Sequence, residues 1–169
     1  IIFGAGHTGA ALCRLGKFLD FRVTVIDERP EFANQQQLPE ADKIVAKSHE
    51  KAFEELNLGK DSYIIVVTHK SVYDEEIISH CVKQEWAYLG MIGSKRKAAK
   101  AFERLRAEGV TENIIRRIHS PIGLQIGAQT PEEIAVAIIA EIIAIKYGVS
   151  DTVPSMKWQG ASRKKALKN

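Results

Sequence analysis

The stretch Gly4-Ala5-Gly6-His7-Thr8-Gly9 decides the fold of this chain. It follows the apolar run Ile1-Ile2-Phe3, which is typical of the end of a buried strand, and apolar residues at helical spacing come after it. Three glycines at this spacing between a strand and a helix predict a turn that binds a dinucleotide. We expect Gly4 to allow the tight turn, Gly6 to let a pyrophosphate approach the backbone, and Gly9 to let the helix pack closely on the sheet.

The helix that starts at this turn gives a second reason to expect an anion there. The backbone amides of its first residues, His7 and Thr8, have no partner within the helix, and the positive end of the helix dipole lies beside them. A negative charge at such a position is stabilised by about 0.3–1 kcal/mol. A glycine turn without any ligand is the alternative.

Asp27 ends the next predicted strand, Arg22–Asp27. In a dinucleotide-binding domain such a carboxylate accepts hydrogen bonds from a ribose. We therefore expect a 2′-hydroxyl to be preferred over a 2′-phosphate, which the carboxylate would repel. Arg29 lies two residues further on and weakens that preference, so NAD and NADP both stay open as ligands. The alternative for Asp27 is a turn residue that bonds its own backbone.

Strands and helices alternate along the rest of the chain. Further strands are predicted at 43–46, 62–68 and 86–92, and helices at 8–19, 48–58, 71–84, 94–108 and 130–147. This alternation predicts an α/β fold of the Rossmann-like, doubly wound type, with a mainly parallel sheet and helices on both faces. We expect one nucleotide-binding domain over residues 1–148 and a basic carboxy-terminal extension over 149–169.

Three further segments are expected at the carboxyl ends of the strands, where open parallel sheets bind their ligands. The ligand-contacting residues predicted there are Thr68, His69, Gly93, Ser94, Arg96, Ser120, Pro121 and Gly123. The run 94–97 places a capping hydroxyl and three cations at a helix start. A bound phosphate would offset the unfavourable interaction of those cations with the helix dipole, and a solvated basic helix surface is the alternative.

The sequence predicts no metal site. His7, His69 and His119 are scattered, and three separate histidines do not form a zinc ligand set. His69 stays open as an acid, a base or a metal ligand, although one histidine alone defines no metal site, and a hydrogen-bonded histidine at the sheet edge is the alternative. His49 and His80 are expected on helix surfaces without a chemical role.

The composition is that of an ordinary globular domain. The 169 residues are 45% hydrophobic and 27% charged, which excludes the disordered, collagen-like and disulfide-rich classes. No apolar stretch reaches the roughly 20 residues of a membrane span, and no signal peptide is recognisable, so we expect a cytoplasmic protein.

Cys13 and Cys81 are expected to be two buried thiols. The chain begins with Ile1 and not with Met, so we expect further sequence upstream.

The net charge of +3 is unevenly distributed. Basic residues are concentrated in the tail, 151–169, and the first 150 residues are nearly neutral. The tail carries no nucleic-acid motif, and its charge is more typical of a solvated segment.

The last predicted helix has a wide isoleucine-rich face over 134–145. Packing in the core is its first interpretation, and the seam of a homodimer is the alternative.

Several segments together resemble the carboxy-terminal Rossmann domain of the XdhC/CoxF family, the xanthine dehydrogenase accessory factors. The segments that carry the resemblance are FGAGHTG (3–9), VIDERPEF (25–32), VVTH (66–69), GMIGSKRK (90–97) and HSPIGLQIGAQTPEEIAVAIIAEI (119–142). The last two are far more specific than a glycine fingerprint, and the matches together span residues 1–147.

The resemblance implies an accessory factor in the maturation of molybdenum hydroxylases of the xanthine dehydrogenase type. Such proteins bind molybdenum cofactor, help to place its terminal sulfur ligand and deliver it to the apoenzyme. A pterin dinucleotide form of that cofactor contains a pyrophosphate, which the glycine turn would hold as well as it would hold NAD. Family members usually carry an amino-terminal domain with a cysteine motif that has no counterpart here, so its sulfur-handling role is not assigned to Cys13 or Cys81.

Two other functions stay open on the residues alone. One is an NAD-dependent oxidoreductase with His69 or Lys95 as proton donor, and the other is a regulatory module whose association changes when NAD binds. The sequence shows no nucleophile-and-base pair and no paired carboxylates. A non-enzymatic accessory factor is therefore the first expectation.

Overall fold

The computed structural model of the protein describes residues 1–149. Their strands are β1 (Ile2–Phe3), β2 (Thr24–Ile26), β3 (Lys43–Val45), β4 (Tyr63–Val66) and β5 (Tyr88–Met91). Their helices are α1 (His7–Phe18), α2 (His49–Phe53), α3 (Ser71–Cys81), α4 (Lys95–Ala107), α5 (Glu112–Ile115) and α6 (Pro131–Lys146).

The five strands form one parallel sheet in the order β3-β2-β1-β4-β5. In the central register Phe3 of β1 lies opposite Ile26 of β2 and Val66 of β4. The strand order reverses between β1 and β4, and open sheets of this type bind ligands at that point. The predicted Rossmann-like, doubly wound α/β fold is confirmed.

Alternation along β1 sends successive side chains to opposite faces of the sheet, so each face needs its own cover. Ile2 belongs to an apolar cluster with residues of α1 and α6, and Phe3 belongs to a second cluster with residues of α2, α3 and α4. Helices therefore cover both faces, as predicted.

Helix α6 begins as its sequence predicts. Thr130 accepts a hydrogen bond from the Glu133 amide, Glu133 bonds back to the backbone amide of Thr130, and Pro131 occupies the first position. The isoleucine-rich face packs mainly into the core, because Ile138, Ile139 and Ile142 are buried against α1 and the sheet. The homodimer seam stays a prediction.

The prediction for α2 was wrong in length, because the helix ends at Phe53 and not at Leu58. A turn follows in which the Leu56 amide donates to Phe53 O over 3.3 Å. Leu56 and Leu58 then pack against the apolar cluster that contains Phe3. Partial burial of these two leucines takes the place of further helical turns.

Cys13 and Cys81 are free, buried thiols, as expected. Within residues 1–149, no helix combines the length and the apolar character that a bilayer span needs. The predicted basic extension, 149–169, lies outside the described residues apart from Val149.

Candidate functional site

A small cleft opens at the carboxyl ends of β1, β2 and β4, beside the point where the strand order reverses. Four predicted site residues line it: Gly4, Asp27, Thr68 and His69. Residues that were not predicted also line it, namely Glu28, Lys47, His49 and Tyr73. The parallel topology explains why these residues lie together, since the segments that carry them leave or approach strands at the same edge of the sheet.

The glycine turn connects β1 to α1 through tight backbone contacts. Gly4 has φ +114°, and a Cβ on it would lie 2.4 Å from Val67 O. A Cβ on Gly9 would lie 1.9 Å from Gly4 O. Both positions therefore require glycine, because a side chain on Gly4 would collide with the backbone after β4 and one on Gly9 would push α1 away from the turn.

Gly6 is different, because a Cβ placed there would meet no atom within 4 Å. Its φ of −66° is available to any residue. Gly6 is also the N-cap of α1. It has no side chain that could accept from the first amides of the helix, and the first turn contains no acidic residue. His7 is exposed and Thr8 half-buried at this turn. The space around position 6 is therefore open, while Gly4 is the residue of the turn that lines the cleft. Amides without a partner at the start of a helix can bind an anion.

Asp27 is buried and accepts four hydrogen bonds from the protein. Its Oδ1 accepts from the Arg29 amide (3.0 Å) and from Arg29 Nε (2.9 Å). Its Oδ2 accepts from the Ala5 amide (2.8 Å) and from the second Arg29 nitrogen, Nη2 (2.8 Å). A carboxylate offers about four acceptor positions, so a ribose hydroxyl reaches Asp27 only if Arg29 moves. The alternative role of Asp27, a turn residue that bonds its own backbone, is present in the structure.

The charge of Asp27 is stabilised despite its burial. Burial alone would raise the pKa of this carboxyl, but the hydrogen bonds from Arg29 and Ala5 outweigh it and hold the pKa below its usual value. Arg29 also lies 4.2 Å from the centroid of the Phe32 ring. The pair is therefore an ordered ion pair that connects the glycine turn to the end of β2.

Thr68 and His69 follow β4 at the cleft. The Thr68 hydroxyl donates to Asp74 Oδ1 over 2.6 Å, so its proton is used within the protein. His69 is exposed, with its ring 5.8 Å from that of Tyr73 in an edge-on arrangement. Lys70 Nζ donates to Tyr73 Oη over 2.8 Å.

The predicted residues after β5 do not line this cleft. Gly93 has φ +154° at the end of the strand, and Ser94 caps α4 by accepting from the Lys97 amide. Arg96 is exposed on the first turn of α4. These residues lie next to the sheet edge without contributing to the lining.

Ser120, Pro121 and Gly123 were expected on an open crevice, and the structure corrects this, because all three are buried. The segment that contains them continues alongside β5, where the Met91 amide donates to His119 O over 2.9 Å, and α6 covers it. The Gly123 amide donates to the buried Glu141 of α6 over 2.9 Å. Burial against α6 removes these three residues from the surface of the cleft.

Comparison with known proteins identifies the fold family. The family model of the XdhC Rossmann domain matches residues 1–142. The chain belongs to the XdhC Rossmann domain family. This confirms the resemblance found in the sequence.

Two curated relatives and one solved structure are similar to this XdhC Rossmann domain. It is 34% identical over 147 residues to the protein YqeB of Escherichia coli (strain K12), covering 86% of this chain and 27% of that one. It is 31% identical over 150 residues to a protein of Bacillus subtilis (strain 168) that is named as a probable xanthine dehydrogenase subunit, covering 89% of this chain and 43% of that one. A crystal structure of a xanthine dehydrogenase from Bacillus halodurans superposes with a TM-score of 0.77 at 29% identity, over 87% of this chain and 42% of that one. The chain thus spans less than half the length of these relatives.

The sequence analysis missed two buried polar residues of the XdhC Rossmann domain, His49 and Glu141. His49 was expected on a helix surface, but only 8% of it is exposed and it lines the cleft. Glu141, which appears in the sequence only as an interruption of an apolar run, is buried and accepts a hydrogen bond from Tyr88. A lone carboxylate inside the apolar run 134–145 was a usable signal for Glu141, because buried carboxylates require partners. The sequence holds no comparable signal for His49.

Proposed function

We propose that this XdhC Rossmann domain binds the pyrophosphate of a dinucleotide-containing ligand at the glycine turn. The ligand we favour is molybdenum cofactor in its pterin dinucleotide form. In this proposal the protein is an accessory factor that holds the cofactor and delivers it, in the cytoplasm, to the apoenzyme of a xanthine dehydrogenase-type molybdenum hydroxylase. It carries out no turnover of its own.

The observation that carries the proposal is the contrast among the three glycines of the turn. Gly4 and Gly9 are required by contacts within the protein, whereas Gly6 is not. Open space in front of Gly6 and an uncapped helix start suit a group with two negative charges that approaches the backbone closely. Internal packing gives no reason for a glycine at position 6, and a ligand does.

Arg29 supports a contact with the nucleotide part of the ligand. Two of its guanidinium N–H groups bind Asp27, and a guanidinium carries five. The remaining N–H groups can donate to a phosphate or a ribose oxygen. Because Arg29 neutralises Asp27, the carboxylate does not repel a 2′-phosphate, and NADP is as acceptable to this pair as NAD.

The names of two similar proteins support the association with xanthine dehydrogenase. The Bacillus subtilis relative is named as a probable subunit of that enzyme, and the Bacillus halodurans structure carries the enzyme's name. Both align with this chain over most of its length.

Calorimetric titration with NAD, NADP and molybdopterin dinucleotide tests the proposal. A Cβ at position 6 meets no atom within 4 Å, so Gly6→Val is expected to weaken binding by about tenfold or more, equivalent to about 1.4 kcal/mol, while the melting temperature stays unchanged. Phe18→Val is the matched control, because it places the same residue at the exposed far end of α1. It is expected to bind as the wild type does.

Two results would overturn the proposal in different ways. Equal binding of every ligand by the wild type and Gly6→Val would remove the glycine turn from the site. Binding of NAD or NADP without molybdopterin dinucleotide would reject the cofactor carrier in favour of an NAD-dependent oxidoreductase or an NAD-responsive module.

A further inference from the structure

Beside the cleft, three potential metal ligands from two helices converge. His49 and Glu50 belong to the first turn of α2, and Glu76 belongs to α3. One donor atom of each residue lies within 4.8 Å of the others. We propose that His49, Glu50 and Glu76 bind a divalent first-row transition-metal ion, such as Zn²⁺ or Mn²⁺.

The imidazole of His49 supplies the observation that points to a ligand. Only 8% of the residue is exposed, and its Nε2 atom is buried. This nitrogen lies 3.1 Å from Glu76 Oε2 and 3.4 Å from Glu50 Oε1, yet it makes no hydrogen bond with any group of residues 1–149. A buried nitrogen without a hydrogen bond is unfavourable unless another partner completes the site.

The two carboxylates have no lysine or arginine partner within residues 1–149. Among the described residues, neither Glu50 nor Glu76 lies within 4 Å of a lysine or arginine nitrogen. Nearby glutamates do have such partners, since Glu75 contacts Arg104 and Lys100, and Glu55 contacts Lys47. Two carboxylates beside one buried imidazole, without a lysine or arginine partner in the described part of the chain, form an arrangement that a cation would stabilise.

Contacts within the protein hold the two ligands from α2 in place. The Glu50 carboxylate accepts hydrogen bonds from the Ser48 hydroxyl and from its own backbone amide. The imidazole is oriented by packing, with the His49 ring centroid 5.1 Å from that of Tyr73. Packing of this kind holds a ligand in place before the ion binds.

The separations agree with a shared ion. Ligand atoms about 2.0–2.2 Å from a metal, at tetrahedral or octahedral angles, lie roughly 3.0–3.5 Å from each other. Both distances from His49 Nε2 fall within that interval. Three protein ligands leave at least one coordination position for water or for an oxygen of a bound molecule.

The donor set selects the class of ion. One imidazole nitrogen and two carboxylate oxygens suit Zn²⁺, Mn²⁺ or Fe²⁺, whereas Mg²⁺ and Ca²⁺ prefer oxygen ligands alone. The site does not depend on the proposed nucleotide ligand, although His49 also lines that cleft. Loss of nucleotide binding in Gly6→Val would therefore leave metal binding intact.

The test is calorimetric titration of chelator-treated, untagged protein with Zn²⁺, Mn²⁺ and Mg²⁺. The wild type is expected to bind one Zn²⁺ or Mn²⁺ ion per chain and to bind Mg²⁺ far more weakly. Glu50→Gln and Glu76→Gln are each expected to weaken binding by about tenfold or more. Both side chains are partly exposed, at 67% and 41%, so the variants are expected to fold.

Glu54→Gln is the matched control, because it removes the same charge from an exposed residue directly after α2. It is expected to bind the ion as the wild type does. Nitrogen coupling in the pulsed electron paramagnetic resonance spectrum of bound Mn²⁺ reports the imidazole without a substitution at the buried His49. Absence of binding, equal binding by Glu54→Gln and Glu76→Gln, or bound Mn²⁺ without nitrogen coupling would each overturn the proposal and leave His49 with a structural role only.

Discussion

The Tyr88 hydroxyl donates to Glu141 Oε2 over 2.7 Å in a fully buried hydrogen bond between β5 and α6. Glu141 Oε2 also accepts from the Gly123 amide, and its Oε1 lies 3.2 Å from His119 Nδ1. One carboxylate of α6 therefore connects this helix with β5 and with the segment 119–123 that it covers.

Substitution of Glu141 is expected to destabilise the fold. The Glu141→Gln substitution replaces one acceptor oxygen by an amide group, whose hydrogens cannot accept from the Tyr88 hydroxyl or the Gly123 amide. We therefore expect a loss of about 1–3 kcal/mol in the free energy of unfolding. Denaturant unfolding measures it, with Glu132→Gln on the exposed side of α6 as control. Equal stability of the two variants would contradict a structural role of the Glu141 network.

The glycine turn predicts opposite outcomes at two of its positions. Gly9→Ala places a Cβ 1.9 Å from Gly4 O, and we expect a loss of at least about 1–3 kcal/mol. Gly6→Ala meets no atom within 4 Å and is expected to change stability by less than about 0.5 kcal/mol. Denaturant unfolding of the two variants distinguishes them, and a similar loss in both would show that the turn is packed differently.

Asp74 is expected to make stability depend on pH. Burial raises the pKa of this carboxyl from 3.8 to about 6, with the Thr68 hydrogen bonds acting in the opposite direction. The folded state thus holds the proton more tightly than the unfolded state. The resulting stabilisation is complete below pH 3.8 and is lost as the pH rises through about 6.

The measurement compares the wild type with Asp74→Asn, which keeps an oxygen to accept from Thr68 but does not titrate. The wild type is expected to lose stability relative to this variant between about pH 4 and about pH 7. Asp61→Asn, at an exposed position, is the control. A constant difference across this interval would contradict the raised pKa of Asp74.

Arg29 is expected to influence the choice between NAD and NADP. Arg29→Ala leaves the Asp27 carboxylate without its ion-pair partner, so a 2′-phosphate would be repelled. We expect affinity for NADP to fall by about tenfold more than affinity for NAD. Titration calorimetry measures both, and Arg22→Ala, on an exposed side chain before β2, is the control. Equal losses for both nucleotides would place Arg29 away from the 2′ position.

The two cysteines are expected to be unreactive in the folded protein. Burial raises the pKa of the Cys13 thiol to about 11 and that of Cys81 to about 12, so almost no thiolate is present at neutral pH. A colorimetric thiol reagent is expected to label neither residue until denaturant is added. Rapid labelling of the native protein would show that α1, which contains Cys13, or α3, which contains Cys81, opens readily.

Much of the fold could be predicted because its signals are local. Short segments carry these signals, such as the glycine spacing of residues 4–9 and the capping pattern at 130–133. The alternation of strands with helices follows from the pattern within each segment in turn. Strand and helix ends were less accurate. The end of α2 depends on how Leu56 and Leu58 pack against the sheet, which is not a local property.

The candidate site divides in the same way. The sequence by itself determined the glycine turn, whose Gly4 lines the cleft, and the sheet edge at which Asp27, Thr68 and His69 meet. Only the tertiary structure decided that Arg29 and Ala5 occupy the acceptors of Asp27, and that α6 buries the segment around Ser120.

Tertiary structure also brought together His49 with Glu76, and Tyr88 with Glu141. The physical reason is distance along the chain. Backbone conformation depends on neighbouring residues, whereas the burial and the partners of a polar side chain depend on residues that only folding brings near. Tyr88 and Glu141 are 53 positions apart in sequence and 2.7 Å apart in the folded protein.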